Sequence, residues 1–532
     1  MKAWSISTTV RSPERIRSFL QILKQIEGQV FNEAMQVKYQ PYFDDLESEI
    51  PFEVAQDIFN YQHYEDPPMR GRQSVNPLNK LGFAIAKENL GKVQITELGN
   101  QFLKGDFDIS FVFFKSMLKL QFPNPMSSDF SEKYGFNVSP FVATLHLIDR
   151  INRKSMQKGI SQTEFSLFVP TLINENLIDS YVDKIIEFRA SNDKKTFIKE
   201  FVREFYKTQK LTDTQLNNLF DYGDNAIRYF RLTKYFRVTL DNFGGFANIN
   251  FEPSRLTEIQ QLLKTYNGQA QKFNNATEYL AYLADINKPS LPWENLQSLL
   301  QVAQNMCVLI ETQATENNLQ LTDKQKLIFF TDYQKFDRKN LEDHITALRN
   351  LHFEIGESLR KRELVGNLEK IERLVNLFAD KKQINKIEPL QFEKLITDAY
   401  KILNDEIQIK PNYITDDNGE AISHATGNKA DVECYYQNYK AILEVTLMGS
   451  KMQWVMEGQP IMRHLRDFEN KHPKDEVYCV FVAPKIHNDT YSQYWIATKY
   501  EYDGIPQKII PLTTEYKYFN LFLQSPHYKQ VA

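Results

Sequence analysis

The sequence predicts a multidomain protein: a mainly helical N-terminal region, a polar linker and a C-terminal domain of mixed α/β class. Three observations carry that expectation. The chain has 532 residues, more than one hydrophobic core usually organises, which points to two to four domains. Helical periodicity dominates to about residue 380, interrupted within the first 255 residues by short strand signals. Beyond that the pattern changes to a helix at 388–404 followed by strand signals at 431–436, 440–447 and 477–483.

In chain order, residues 13–36 read as a helix, with Ser12 placed to cap it and Pro13 at its first position. Ile16, Phe19, Leu20 and Leu23 recur on one face. The stretch NPLNKLGFAIAKENLGKVQITELGNQFLKGD (76–106) reads as helix, strand and helix. Gly91 ends the first helix, Val93 and Ile95 alternate, and Thr96 caps the second helix. Helices joined to a short strand in this way occur in winged-helix modules. The stretch DNAIRYFRLTKYFRVTLDNFGGFANINF (224–251) is sharper. Arg228, Arg231, Lys234 and Arg237 recur every three residues with no acid between 225 and 237, one drifting basic stripe if all four share a helix. Strand, Gly-rich turn and strand follow, which is a hairpin signal. A basic helix followed by a hairpin is what a DNA-reading helix and its wing require, because guanidinium forks hold phosphates or read guanine edges. A solvated helix face whose aromatics are core gives the same pattern.

A helix at 254–264 gives way to the polar TYNGQAQKFNN and then NKPSLPW. The expected division is therefore an N-terminal region at 1–255, in modules of about 1–140 and 141–255, a linker at 256–292 and a C-terminal domain at 293–532.

Composition excludes several classes. With 42% hydrophobic, 25% charged and 13% aromatic residues, the chain is not extensively disordered. Cys307, Cys434 and Cys479 lie far apart without a CxxC pair, which supports neither a disulfide framework nor a structural zinc and fits a reducing cytoplasm. No apolar run reaches the roughly 18–20 residues of a membrane span, and the N-terminus lacks a signal-peptide core. A net charge of −4 argues against a surface that is basic throughout.

The chemistry concentrates in GNKADVECYYQNYKAILEVTLMGSKMQWVMEGQPIMRH (427–464). On a strand through KAILEVTL, Leu443, Val445 and Leu447 point one way and Ile442, Glu444 and Thr446 the other, so Glu444 is held on one face while the opposite face is anchored in core. Antiparallel pairing across YYQNYK brings Asp431 near Glu444. Two such carboxylates suit Mg²⁺, with the Val445 carbonyl as a third protein ligand, and the metal could activate water for attack on a phosphodiester. The segment 451–468 reads as a helix despite Pro460. Glu457 and His464, seven residues apart, fall nearly on one face of it. Any half-exposed strand alternates in the same way, so an ordinary hairpin stays open as the second reading.

Taken together, KAWSISTTVRSPERI, NPLNKLGFA…ITELG, KGISQTEFSLF, RYFRLTKYF and ADVECYY…AILEVTL resemble, in that order over most of the chain, the AlwI-type family of type IIS restriction endonucleases, which includes relatives that nick one strand. The resemblance implies a FokI-like layout: winged-helix-type recognition subdomains for double-stranded DNA, a linker and a C-terminal PD-(D/E)xK nuclease domain that uses Mg²⁺. It implies that Asp431 and Glu444 are the metal-binding acids and that Glu457 and His464 lie on the helix that follows. Glu393 is then the acid that precedes this core. Thr446 stands where the broader superfamily has lysine, which leaves His464, or failing it Lys451, to handle the attacking water. On the recognition side, Arg70, Arg72 and Lys80 bracket the first module, and Arg228, Arg231, Lys234 and Arg237 the second. Second-strand cleavage implies a transient homodimer or a small-subunit partner. The alternatives are a strand-specific nicking enzyme, or the large subunit of a heterodimeric one, and a winged-helix DNA-binding protein with an inactive nuclease fold.

Overall fold

The computed structural model describes residues 2–7, 13, 16–38, 67–105, 108–124, 130–365, 367–425, 429–500 and 506–514. The chain packs as two compact units. The first comprises Met1–Thr239 with Phe246–His352, and the second comprises Leu240–Gly245 with Phe353–Ala532.

In the first unit, helix α1 (Ile16–Gln25) buries Ile16, Phe19, Leu20, Ile22 and Leu23, the face its periodicity predicts. The capping residue expected at Ser12 lies outside the described residues. Helix α2 (Pro67–Lys80) leads into a two-stranded antiparallel ladder of β1 (Ala84–Ile85) and β2 (Gln94–Ile95), followed by α3 (Glu97–Lys104). Thr96 caps α3, its hydroxyl accepting from the Gly99 amide at 3.0 Å. The helix, strand, helix order is as expected, with one shift. Helix α2 stops at Lys80, and Gly91 closes only a short 3₁₀ turn, Glu88–Leu90. Gly82 takes φ +83°, a left-handed turn that favours glycine, and this ends the helix early.

Helix α4 (Asp213–Leu232) opens with a reciprocal capping box between Thr212 and Gln215 and leads to the hairpin of β3 (Phe236–Leu240) and β4 (Phe246–Phe251). It does not carry the basic stripe to its end. The Thr233 hydroxyl donates to the Phe230 carbonyl at 2.6 Å, and Lys234 turns left-handed at φ +63°. Lys234 therefore sits at a corner and Arg237 on β3. Aromatic packing accounts for the corner. Phe230 stacks on Phe236 at 5.4 Å, and Tyr235 stacks on Phe114 at 4.0 Å, so the chain turns to bury rings on both sides of it.

The segment 256–292 contains α5 (Leu256–Thr265) and α6 (Ala276–Ala284) and counts with the first unit. Two buried lysines strap its end to the helix Ile109–Lys119. Lys119 donates to the Leu283 and Asp285 carbonyls at 2.7 and 2.6 Å, and Lys115 to those of Asn287 and Pro289. The two units divide at His352/Phe353, within the helix α7 (Arg338–Val365).

The second unit is built on a five-stranded sheet in the order β11-β10-β9-β8-β5. Its strands are β5 (Gln408–Pro411), β8 (Val432–Tyr435), β9 (Lys440–Val445), β10 (Val477–Ala483) and β11 (Ile509–Thr513), and a short pair, β6 (Ile414–Thr415) and β7 (Ala421–Ser423), stands apart. Strand β8 runs antiparallel to β5 and β9, whereas β10 runs parallel to β9 and β11. Parallel neighbours need crossover connections, and α9 (Gln459–Lys471) and α10 (Asn488–Ala497) supply them. The other face is covered by α8 (Pro389–Leu403), the helix expected at 388–404.

Strand β9 has the alternation its sequence predicts. Ala441, Leu443 and Val445 pack with Phe392 and Ile396 of α8, while Ile442 packs with Ile461, Leu465 and Phe468 of α9. Cys434 and Cys479 are free thiols in the cores of opposite faces. Edge strands β5 and β11 escape the sequence reading because Pro411 and Pro511 break their pattern, and proline is tolerated only at edges.

Leu443 is fully buried at the centre of this sheet. Leu443→Ala should destabilise the second unit by about 2–5 kcal/mol, read as a lowered midpoint in denaturant unfolding. A loss below ~1 kcal/mol would place Leu443 outside the core.

Candidate active site

The β8–β9 ladder sets the site. Its register pairs Val432 with Leu443, so the next rung places Asp431 opposite Glu444. Asp431 is locked there by the Val445 amide, which donates to Oδ2 at 2.7 Å. Glu444 is buried and points toward α9, where His464 Nδ1 lies 2.9 Å from its Oε1. Glu457 lies in a π-helical turn (Trp454–Gly458) that runs directly into α9. Pro460 is accommodated in the first turn of α9, where its missing N–H is no loss. The Glu457 Oε1 accepts from the Thr446 hydroxyl at 3.0 Å, and that hydroxyl accepts from the Met448 amide at 3.1 Å. Glu393, on α8, is buried; its Oε1 lies 2.6 Å from His424 Nδ1, and its Oε2 has no hydrogen-bond partner.

The four acids and one histidine expected from the sequence, Glu393, Asp431, Glu444, Glu457 and His464, therefore come together. Burial pushes the Asp431 carboxyl well above its ordinary range, and the Glu393, Glu444 and Glu457 charges push it further. Burial does the same to Glu444, with Glu457 and Glu393 adding to it. Each of the four carboxylates accepts at least one hydrogen bond from a group that is neither lysine nor arginine. Burial, reinforced by Arg463, lowers the His464 ring to about 4. At neutral pH the contact with Glu444 is thus a hydrogen bond from a neutral ring, not an ion pair. With Glu444 ionised, Nδ1 carries the proton and Nε2 keeps a lone pair.

Among the described residues, no three or more His, Cys, Asp or Glu side chains are gathered so as to hold a metal by themselves. What the corner offers is the two adjacent carboxylates of Asp431 and Glu444, both hard oxygen donors. That set fits a cation such as Mg²⁺, which is held by one or two carboxylates and completes its shell with water and phosphate oxygens. It does not fit zinc, which takes four nitrogen or sulfur donors in structural sites. Val445 contributes its amide to Asp431. Lys451 is exposed, ahead of the π-helical turn.

Sequence reasoning missed His424. Its partner Glu393 is 31 residues away on a different element, and no spacing rule connects them. Thr446 was singled out for its position, but its bond to Glu457 becomes visible only once the π-helical turn folds back over the strand.

The expected DNA-contacting residues separate by exposure. Arg70 lies in α2, its side chain outside the described atoms. Arg72 is exposed and donates to Gln36 Oε1 at 2.8 Å. Lys80 is buried and donates to the Ser5 carbonyl at 2.6 Å. Arg228 pairs with Asp224 at 3.0 Å and lies over the Phe246 ring, and Arg231 is only 3% exposed. Lys234 is half-buried and Arg237 is exposed on β3.

The crowded acids carry a pH signature. The folded-state values of Asp431 and Glu444 are raised, so the folded protein holds protons more tightly than the unfolded chain. That contribution to stability is fully present below the ordinary carboxyl values of 3.8 and 4.5 and is lost as pH rises through the raised ones. Without added divalent cation, Glu444→Gln should therefore stabilise the protein at pH 7–8 by about 1 kcal/mol, a Tm gain of ~2–4 °C, and the gain should vanish near pH 4. Calorimetry across this range checks it; an unchanged Tm at pH 8 would contradict the crowding.

Comparison with known proteins gives the chain its place. The family model for the AlwI restriction endonuclease matches residues 79–520. No curated protein matches. Among solved structures, the small subunit of the heterodimeric restriction endonuclease R.BspD6I is 24% identical over 29% of this chain and 78% of its own, with a TM-score of 0.24. The BpuJ1 endonuclease binding domain, in complex with pyrene- and phenanthrene-modified DNA, is 12% identical over 50% of this chain and 88% of its own, with a TM-score of 0.33. The restriction endonuclease FokI is 10% identical over 100% of this chain and 98% of its own, with a TM-score of 0.25. With the family match spanning most of its length, and an acid cluster inside the matched region, the chain belongs to the AlwI restriction endonuclease family and is a type II site-specific deoxyribonuclease.

Proposed function

We propose that the enzyme is a Mg²⁺-dependent type IIS restriction endonuclease: it recognises a short asymmetric double-stranded DNA sequence through its N-terminal region and hydrolyses phosphodiester bonds a few nucleotides to one side. The observation that carries this reading is the pairing of Asp431 with Glu444 across β8 and β9, with Glu393 and Glu457 close enough to raise their proton affinity.

In this reading Asp431, Glu444 and the Val445 carbonyl would hold the metal. Mg²⁺, when bound, polarises water and offsets charge developing on the phosphodiester. Glu393, steadied by His424, directs its unpartnered Oε2 toward water at the site. Glu457 is held by Thr446, so the residue at the usual lysine position aims a neighbouring acid and carries no charge of its own. The neutral ring of His464 favours a role as proton acceptor through Nε2 over that of a protonated stabiliser, with Nδ1 fixing the orientation of Glu444.

On the recognition side, modules at about 1–140 and 141–255 with winged-helix character read the DNA, 256–292 extends the first unit, and the second unit, which holds the acid cluster, cuts. Of the basic residues named, exposure favours Arg72 and Arg237 as direct contacts. Burial makes Lys80 and Arg231 supports of the elements that present them. One acid cluster cuts one strand at a time, so second-strand cleavage calls for a transient second copy or a small subunit. The second reading is strand-specific nicking, which supercoiled-plasmid digestion distinguishes by open-circular rather than linear product. We place the activity in the bacterial cytoplasm; among the described residues no helix is long and apolar enough to cross a membrane.

Asp431→Ala and Glu444→Ala should each lower the cleavage rate by at least ~10³-fold while leaving specific DNA affinity within a few-fold. Cleavage retained in both variants would move the active site elsewhere. Digestion of a known genome with end sequencing reports recognition site, offset and strand choice together. Arg237→Ala should weaken DNA binding, by about 1–3 kcal/mol if it reads a base, or through a salt slope smaller by about 1 if it holds a phosphate. Unchanged affinity and slope would remove β3 from the interface.

A further inference from the structure

Gln453 belongs to no motif and lies outside the acid cluster, yet its side chain is fully buried and each of its polar atoms is engaged. Nε2 donates to the Met448 carbonyl at 2.5 Å and to the Lys485 carbonyl at 2.9 Å, and Oε1 accepts from the His487 amide at 2.8 Å. Met448 lies in the loop that leaves β9, and Lys485 and His487 lie in the loop that leaves β10. Since β9 and β10 are parallel neighbours with Val445 beside Val482, both loops depart from the same end of the sheet, the end that carries Glu444. The Thr446 amide continues the ladder onto the Val482 carbonyl at 3.0 Å. One amide therefore joins both exits from the sheet to the residue that opens the π-helical turn.

The connection runs on to an acid. The Met448 peptide, whose carbonyl Gln453 holds, gives its amide to Thr446 Oγ1 at 3.1 Å, and that hydroxyl donates to Glu457 Oε1 at 3.0 Å. Glu457 sits four residues after Gln453, in the turn that Gln453 starts. Gly458 closes the turn, and a β-carbon there would overlap the Trp454 ring, so the position suits glycine. Wide turns of this kind are uncommon and tend to mark functional sites. We propose that Gln453 is a positioning residue for cleavage: its amide fixes the peptide that presents Thr446 and, through it, the direction of Glu457. The requirement is for two donors and one acceptor at the end of a three-bond side chain. Ionised glutamate offers only acceptors, and methionine of similar length offers neither. The proposal rests on the acid cluster being the cleavage site.

The test is single-turnover DNA cleavage by the full-length enzyme at saturating Mg²⁺, with specific DNA affinity measured separately without divalent cation. Gln453→Met should lower the cleavage rate by about 10²-fold, as misplacement of an active-site group by about 1 Å does, and leave DNA affinity within about twofold. If Gln453→Met does not fold, Gln453→Glu is read in its place, since it keeps the acceptor for the His487 amide, and the same loss is expected. Thr446→Val should also slow cleavage. The double variant Gln453→Met/Thr446→Val should be no more than about threefold slower than the worse single one, because both act through Glu457. A Gln453 variant within about threefold of the parent rate overturns the proposal, as do losses that multiply in the double variant or DNA affinity that falls with the rate. Failure of the underlying site reading is distinguishable: Asp431→Ala would then still cleave.

Discussion

The second unit is organised around an electrostatically unfavourable arrangement: four carboxylates, Glu393, Asp431, Glu444 and Glu457, in one corner at the end of a β-sheet. Like charges in a poorly solvated place repel, and without restraint the side chains would turn toward water. The fold denies them that freedom with one short bond per acid: the Val445 amide for Asp431, His464 for Glu444, Thr446 for Glu457 and His424 for Glu393. Strand β9 delivers the first, the crossover helix the second, the residue just beyond β9 the third and the residue just beyond β7 the fourth. The apolar cores on both faces of β9 supply the rigidity behind them.

How much of this the sequence showed depended on the range of the physics involved. Alternation along KAILEVTL is a property of a single strand, and it placed Leu443, Val445 and Ile442 on their faces; the short turn YYQNYK paired Glu444 with Asp431. The spacing of Glu457 and His464 is likewise local, although a π-helical turn stands where an unbroken helix was expected. Contacts between elements distant in sequence were not legible. His424 meets Glu393 across 31 residues, and Gln453 meets His487 across 34; neither pairing leaves a periodic trace. The short edge strands were hidden by their prolines, and two additions, Glu457 with His464 on one helical face and the family resemblance, moved the acid pair beyond an ordinary hairpin.

The N-terminal half shows a different failing of periodicity. Four basic residues at three-residue intervals imply a stripe only while one helix continues, and the Phe230, Tyr235 and Phe236 rings turn the chain first. Arg231, which a helical wheel would put at the heart of a DNA contact, is instead packed inside, and Arg228 is engaged by Asp224. Composition likewise says little about the contacts of 256–292. Its polar, weakly periodic residues look like a tether, yet Lys115 and Lys119 bind its carbonyls from within the first unit, a long-range interaction that polarity alone does not reveal.

The threonine at position 446 has a last consequence. A lysine there would bring a permanent positive charge, and the corner would be partly neutralised at all times. With a hydroxyl in its place, and with Asp431 and Glu444 holding their protons unusually tightly, the local charge is adjustable. On the proposed Mg²⁺ reading, acids that hold their protons tightly must release them for a cation to bind, so cation affinity should rise with pH.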